Sequence, residues 1–180
     1  MNPGKRTVKE NISRQKSLRP TAGKVREALF NILRGRIDNA RFLDLYAGTG
    51  AVGVEALKQG ASEVVFVETS KAHSMNINRL AEKSGFSGRA RIITKKVLSF
   101  IQWAELNRLT FDIIFLDPPY HTDEIIYSLS AIGKSHILEQ NGIVIAEHFS
   151  KGKLTESFGD LQMLKEYFYG DTVLSFYKAS

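Results

Sequence analysis

The sequence predicts an α/β domain: a doubly wound, mostly parallel sheet of seven strands that ends in a C-terminal antiparallel hairpin. Three observations carry that expectation. Between Arg41 and Glu147, short apolar runs alternate with stretches of helical period. A glycine-rich turn, Gly48-Thr49-Gly50-Ala51-Val52-Gly53, joins one such run directly to a helix pattern. Near the end, two further runs flank Gly170-Asp171 in the manner of a β-hairpin.

Residues 1–18 are polar and basic without apolar periodicity, and they form an arm ahead of one domain spanning 19–180. Arg19-Pro20-Thr21 makes a turn, because the residue before proline avoids the helical region. Thr21 can cap a helix from Ala22 to Leu33, whose apolar stripe is Val25, Ala28, Leu29, Ile32 and Leu33. Gly35 closes it.

The alternation follows. Strands are expected over Arg41–Tyr46, Glu63–Glu68, Ala90–Thr94, Phe111–Leu116 and Gly142–Glu147. Helices are expected over Gly50–Gln59, Ser70–Lys83, Val97–Leu106 and Asp123–Ile132. Phe111–Leu116 is the most hydrophobic run, so it should be central. Leu164–Tyr169 and Thr172–Tyr177 form the hairpin.

Composition excludes several function classes. At 180 residues with 43% hydrophobic content, the chain suits one soluble domain. The absence of cysteine rules out disulfides and thiolate–metal sites, and the four histidines lack ligand spacing, so no metal is expected. No apolar run approaches the roughly 18 residues of a membrane span, and the basic N-terminus lacks a signal-peptide core. The expectation is a cytoplasmic monomer. The net charge of +6 is unevenly spread, because residues 1–41 hold eleven Lys/Arg against three Asp/Glu. A basic N-terminal side points to a polyanion, with nucleic acid foremost.

In doubly wound sheets ligands bind beyond the carboxyl ends of the strands, where Asp44, Glu68, Asp117 and Glu147 fall. The glycine turn lets backbone N–H groups approach a ligand closely. Glu68 follows Gly50 by 18 residues, the spacing of an acid that accepts from ribose hydroxyls. Nicotinamide cofactors and S-adenosylmethionine share that ribose, so Glu68 does not separate them. Asp117-Pro118-Pro119-Tyr120 does. Its prolines leave the Asp117 and Pro118 carbonyls free as acceptors, and Tyr120 can stack on a planar base bearing an exocyclic amine.

Asp44-Leu45-Tyr46-Ala47-Gly48-Thr49-Gly50 resembles motif I of class I S-adenosylmethionine methyltransferases, which are Rossmann-like. Asp117-Pro118-Pro119-Tyr120 resembles the motif of enzymes that methylate exocyclic base amines. Arg19-Pro20-Thr21, Val25-Arg26-Glu27-Ala28-Leu29-Phe30-Asn31 and Tyr169-Gly170-Asp171-Thr172 are similar to signatures of the RsmD family. Members of that family methylate N2 of one guanine in bacterial 16S ribosomal RNA. The chain departs from the family in its short, divergent residues 1–17 and in Lys95-Lys96-Val97, where Gly-Asp-Ala is usual.

The resemblance implies S-adenosylmethionine held by Asp44, Tyr46, Gly48, Thr49, Gly50, Glu68 and Val97, with Asp44 near the methionine amine and Glu68 on the ribose. Lys96 cannot accept from the adenine amine, so backbone groups near Val97 would serve. Asp117, Pro118, Pro119 and Tyr120 would be catalytic. Arg14, Lys16, Arg19, Thr21, Lys24 and Arg26 would meet RNA, although Arg26 could instead pair with the cofactor carboxylate. The partner would be 16S ribosomal RNA or a small-subunit assembly intermediate. Rival readings are an adenine-N6 methyltransferase, a nicotinamide-dependent dehydrogenase and a non-catalytic RNA-binding protein.

Overall fold

The computed structural model describes residues 22–180, and the chain divides into two compact units, Met1–Arg34 and Gly35–Ser180. The basic arm, the Arg19-Pro20-Thr21 turn and the candidate RNA contacts Arg14, Lys16, Arg19 and Thr21 lie outside the described residues. In the N-terminal unit, residues 22–32 form helix α1. Val25, Leu29 and Leu33 of the expected stripe are buried, Ala28 and Ile32 are partly buried, and Phe30, outside that stripe, is buried as well, while Lys24 is exposed and Arg26 half-buried.

The larger unit alternates strands and helices: β1 (Arg41–Leu45), α2 (Ala51–Lys58), β2 (Glu63–Glu68), α3 (Lys71–Lys83), β3 (Ala90–Thr94), α4 (Val97–Leu106), β4 (Phe111–Leu116), α5 (Glu124–Gly133) and β5 (Leu138–Phe149). Three strands end it: β6 (Ser157–Phe158), β7 (Leu161–Tyr169) and β8 (Thr172–Ala179). They make one sheet in the order β3-β2-β1-β4-β5-β8-β7-β6. The first five are parallel, as the sequence predicted, and the last three antiparallel, the expected hairpin β7–β8 with β6 added. Strand order reverses between β1 and β4, which are neighbours, and opens a crevice beyond their carboxyl ends.

Both faces of the central parallel strands are covered, so β1, β2 and β4 are almost uniformly buried, while the edge strand β3 is not. Leu43, Leu45, Val65, Val67, Ile114 and Leu116 share a core with Phe100 and Phe111, whose ring centroids are 6.5 Å apart. Each such side chain contributes about 1.5–3 kcal/mol on burial. Gly53 fixes the packing of α2: a Cβ there would lie 2.2 Å from the Phe66 ring. The third glycine of the turn is therefore a helix–sheet contact.

Three departures from the expected elements have local causes. An eighth strand, β6, is only two residues long, too short for a periodic signal. Its position depends on Gly133, where a Cβ would lie 1.7 Å from the Phe158 carbonyl oxygen. β5 starts at Leu138 rather than Gly142, because Leu138 pairs with Phe111 before an irregularity precedes the Ile113–Ile143 pair. β7 starts at Leu161, and a break in register between Met163 and Lys165 leaves Leu164 bulged and exposed.

Candidate active site

The carboxyl ends of β1, β2 and β4 meet through their register. Leu45 pairs with Val67 on one side and Leu116 on the other, so the segments following these strands emerge side by side. After β1 the backbone turns sharply: Tyr46 has φ of 62° and Gly50 of 76°, both in the left-handed region. For Tyr46 that conformation costs about 1–2 kcal/mol. It is held by a 3.0 Å bond from the Ala47 N–H to the Val67 carbonyl and a 2.7 Å contact between the Tyr46 hydroxyl and Ser128 Oγ. Burial pushes the Tyr46 hydroxyl up to about 12, so it stays protonated.

Glu68 closes the turn from β2. Its Oε2 accepts from the Gly48 N–H at 2.8 Å, and its Oε1 accepts from the Ser70 N–H at 2.9 Å, where α3 begins. Burial alone would raise the carboxyl pKa, but the N–H groups of Ser70, Gly48 and Thr69 together hold it below the usual range, with His73 adding to them. Glu68 is thus an anion, and a carboxylate has about four acceptor positions. Acceptor capacity remains for a ligand.

Glu68 lines a cleft of about 480 Å³ with Tyr46, Gly48, Thr69, His73 and Val97 on one side and Asp117, Pro118, Pro119 and Tyr120 on the other. Its volume lies within the range of small-molecule sites. A neighbouring cavity of about 500 Å³ shares Tyr46, Thr69 and Val97 and adds Lys96. Val97 is the first residue of α4, whose opening N–H groups have no intrahelical acceptor.

The Asp-Pro-Pro-Tyr turn forms the far wall. Thr122 Oγ1 donates to the Pro119 carbonyl at 2.8 Å. Among the described residues no donor reaches the Pro118 carbonyl, so it is an available acceptor. Asp117 is exposed to the cleft, yet enough protein surrounds its carboxyl for desolvation to push the pKa up. The Tyr120 ring is half exposed and lies 6.2 Å from that of Phe149.

Beyond this wall is a second cleft of about 420 Å³, lined by Pro118, Pro119, Tyr120, Glu147, Phe149, Lys151 and Lys153, among others. Burial, and then the Asp117 charge, push the Glu147 carboxyl well up. Together the two acids retain a proton in a range where free carboxyls are ionised.

The structure thus brings Tyr46, Gly48, Glu68, Val97 and Asp117–Tyr120 together around one cleft. Two other residues of the turn lie apart: Thr49 is solvent-exposed, and Gly50 is the buried N-cap of α2. Asp44, expected beside a ligand amine, is 1% exposed and lines neither cleft. Its Oδ2 accepts from the Gly53 N–H at 2.9 Å, tying β1 to α2, and burial keeps its pKa well above the usual value. The sequence signalled Glu147 only as an acid at a strand end, and gave no sign of Thr69 or His73.

A family model described as Conserved hypothetical protein 95 matches residues 4–178. YlbH of Bacillus subtilis is 33% identical over 162 residues, covering 90% of this chain and 88% of that one. Ribosomal RNA small subunit methyltransferase D of Haemophilus influenzae is 32% identical over 137 residues, covering 76% and 70%. Among solved structures, a conserved hypothetical protein of Streptococcus pyogenes has a TM-score of 0.78 at 26% identity, covering 86% and 95%.

Proposed function

Because the chain belongs to the family described as Conserved hypothetical protein 95, which is the RsmD family, we propose that it is a ribosomal RNA methyltransferase transferring a methyl group from S-adenosylmethionine to N2 of a guanine in 16S ribosomal RNA. The observation that carries this reading is the single cleft flanked by Glu68 and by the Asp117–Pro118 acceptors. An anionic acid faces the place of a ribose, and free acceptors face the place of an amine.

The residues present fit S-adenosylmethionine. Glu68 accepts from Gly48, Ser70 and the Thr69 hydroxyl and keeps acceptor capacity on Oε2 for a ribose hydroxyl, and the turn at Gly48 sets backbone beside it. The opening N–H groups of α4 near Val97 offer hydrogen bonds to adenine ring nitrogens. Lys96 supplies no acceptor to the adenine amine, so recognition there rests on backbone. When bound, the cofactor supplies an electrophilic methyl carried on a sulfonium.

The chain's own residues do the positioning. The guanine N2 lone pair is delocalised into its ring, so geometry has to make up for low nucleophilicity. Asp117 and the Pro118 carbonyl would accept from the two N2 hydrogens and aim the lone pair at the cofactor cleft. Tyr120 would stack on the base, which must leave its helix to arrive there. Pro119 holds the turn rigid through its bond from Thr122. Arg14, Lys16, Arg19, Thr21, Lys24 and Arg26 would engage the RNA backbone.

The test is incubation with labelled S-adenosylmethionine and small ribosomal subunits from a methylation-deficient strain, followed by mapping of the label. Label on N2 of one 16S guanine is expected. Label on adenine N6 would replace this reading with an adenine-specific one, and no label would leave RNA binding alone.

A further inference from the structure

Glu147 has no part in the mechanism above, yet its setting is unusual. β4 and β5 are parallel neighbours, and Leu116 pairs with Ala146. The next residues on the two strands, Asp117 and Glu147, therefore stand side by side at the mouth of the crevice, about 5 Å apart by strand spacing. Among the described residues neither carboxyl has a salt-bridge or hydrogen-bond partner. Glu147 is half-buried and lines the second cleft with Pro118 and Tyr120. Two adjoining acids without protein partners, one of them half-buried, leave acceptor oxygens to which a ligand can bring donors.

Guanine brings such donors. Its Watson–Crick edge carries N1–H directly beside the N2 amine, whereas adenine has an acceptor at N1. We propose that Glu147 is a specificity-determining residue: it accepts from guanine N1–H while Asp117 holds the adjoining N2 amine. The inference rests on the methyltransferase reading and deepens it by naming what selects guanine. The two acids occupy neighbouring strands as N1 and N2 occupy neighbouring ring positions.

The test uses small subunits reconstituted with 16S RNA carrying either guanine or 2-aminopurine at the nucleotide the protein methylates. 2-Aminopurine keeps the exocyclic amine but has no N1–H. A hydrogen bond to the carbonyl oxygen of an uncharged carboxyl corresponds to about two- to ten-fold, so the wild type should prefer guanine by that ratio in kcat/KM. In Glu147→Ala and Glu147→Leu, which remove the acceptor, the ratio should collapse towards one, with S-adenosylhomocysteine affinity unchanged because Glu147 is not part of the cofactor cleft. A wild type that accepts both bases equally overturns the inference without any variant. So does a variant that keeps the full ratio. No methylation of guanine RNA by the wild type would overturn the methyltransferase reading instead.

Discussion

The Gly48 N–H donates to Glu68 Oε2 at 2.8 Å, so the acid at the end of β2 holds the glycine turn at the end of β1. Replacing Glu68 by alanine removes an acceptor for the cofactor and releases the turn together. Affinity for S-adenosylhomocysteine should fall about ten- to a hundred-fold, read by titration calorimetry. An unchanged dissociation constant would remove Glu68 from the cofactor site.

Asp117 faces the cleft without a protein partner, so its loss leaves no buried group orphaned. Asp117→Ala should lower methyl transfer by at least about a hundred-fold while cofactor affinity stays near wild type. Full turnover in this variant would refute its role at the amine.

Burial raises the pKa of Glu147 in the fold, and Asp117 adds to the shift. The folded state therefore binds more protons than the unfolded chain, and ∂ΔG/∂pH is negative in that window. Stability conferred by the protonated form is present at acidic pH and is lost as pH rises from the ordinary carboxylate range towards neutrality and beyond. Glu147→Gln should flatten this slope and raise the Tm by about 2–4 °C at pH 8. Thermal melts between pH 5 and pH 8 provide the check; a Tm that rises with pH in the wild type, undiminished in the variant, would contradict the assignment.

A methyl group at Gly53 would collide with the Phe66 ring, which is itself wholly buried. Gly53→Ala should destabilise the protein by about 1–3 kcal/mol, seen as a lower midpoint in urea. A neutral result would mean that α2 can shift away from the sheet at little cost.

RNA affinity should fall steeply with salt, since the basic excess sits in residues 1–41 and phosphate contacts release counterions. Plots of log K against log salt for the wild type and a Lys24→Ala/Arg26→Ala variant should differ in slope by about 2. Parallel lines would show that these two side chains do not touch phosphate.

The βα part of the fold was legible because strands buried on both faces carry continuous apolar runs. The expected limits of β2, β3, β4 and α4 coincide with those observed. What escaped was non-periodic: β6 is fixed by a contact with Gly133 rather than by its own pattern, and the Leu164 bulge breaks the alternation of β7. That Glu68 and Asp117 lie at one cleft could be anticipated because spacing and turn chemistry are local. The inward course of Asp44 could not, since whether an acid at a strand end meets ligand or helix turns on one residue of register. Nor could the pairing of Glu147 with Asp117, which depends on which strand lies beside β4.

The shortness of β6 also limits how the sheet can grow. It pairs only Ser157 and Phe158 with Gln162 and Leu161, so among the described residues most of the outer edge of β7 has no neighbouring strand. A long bare edge is a template for a strand from another molecule. Here the bulge at Leu164, followed by Lys165, breaks the hydrogen-bonding frame that a newcomer would have to match. An irregularity that hid the start of a strand from pattern reading is thus also one that makes this edge a poorer template for strand pairing.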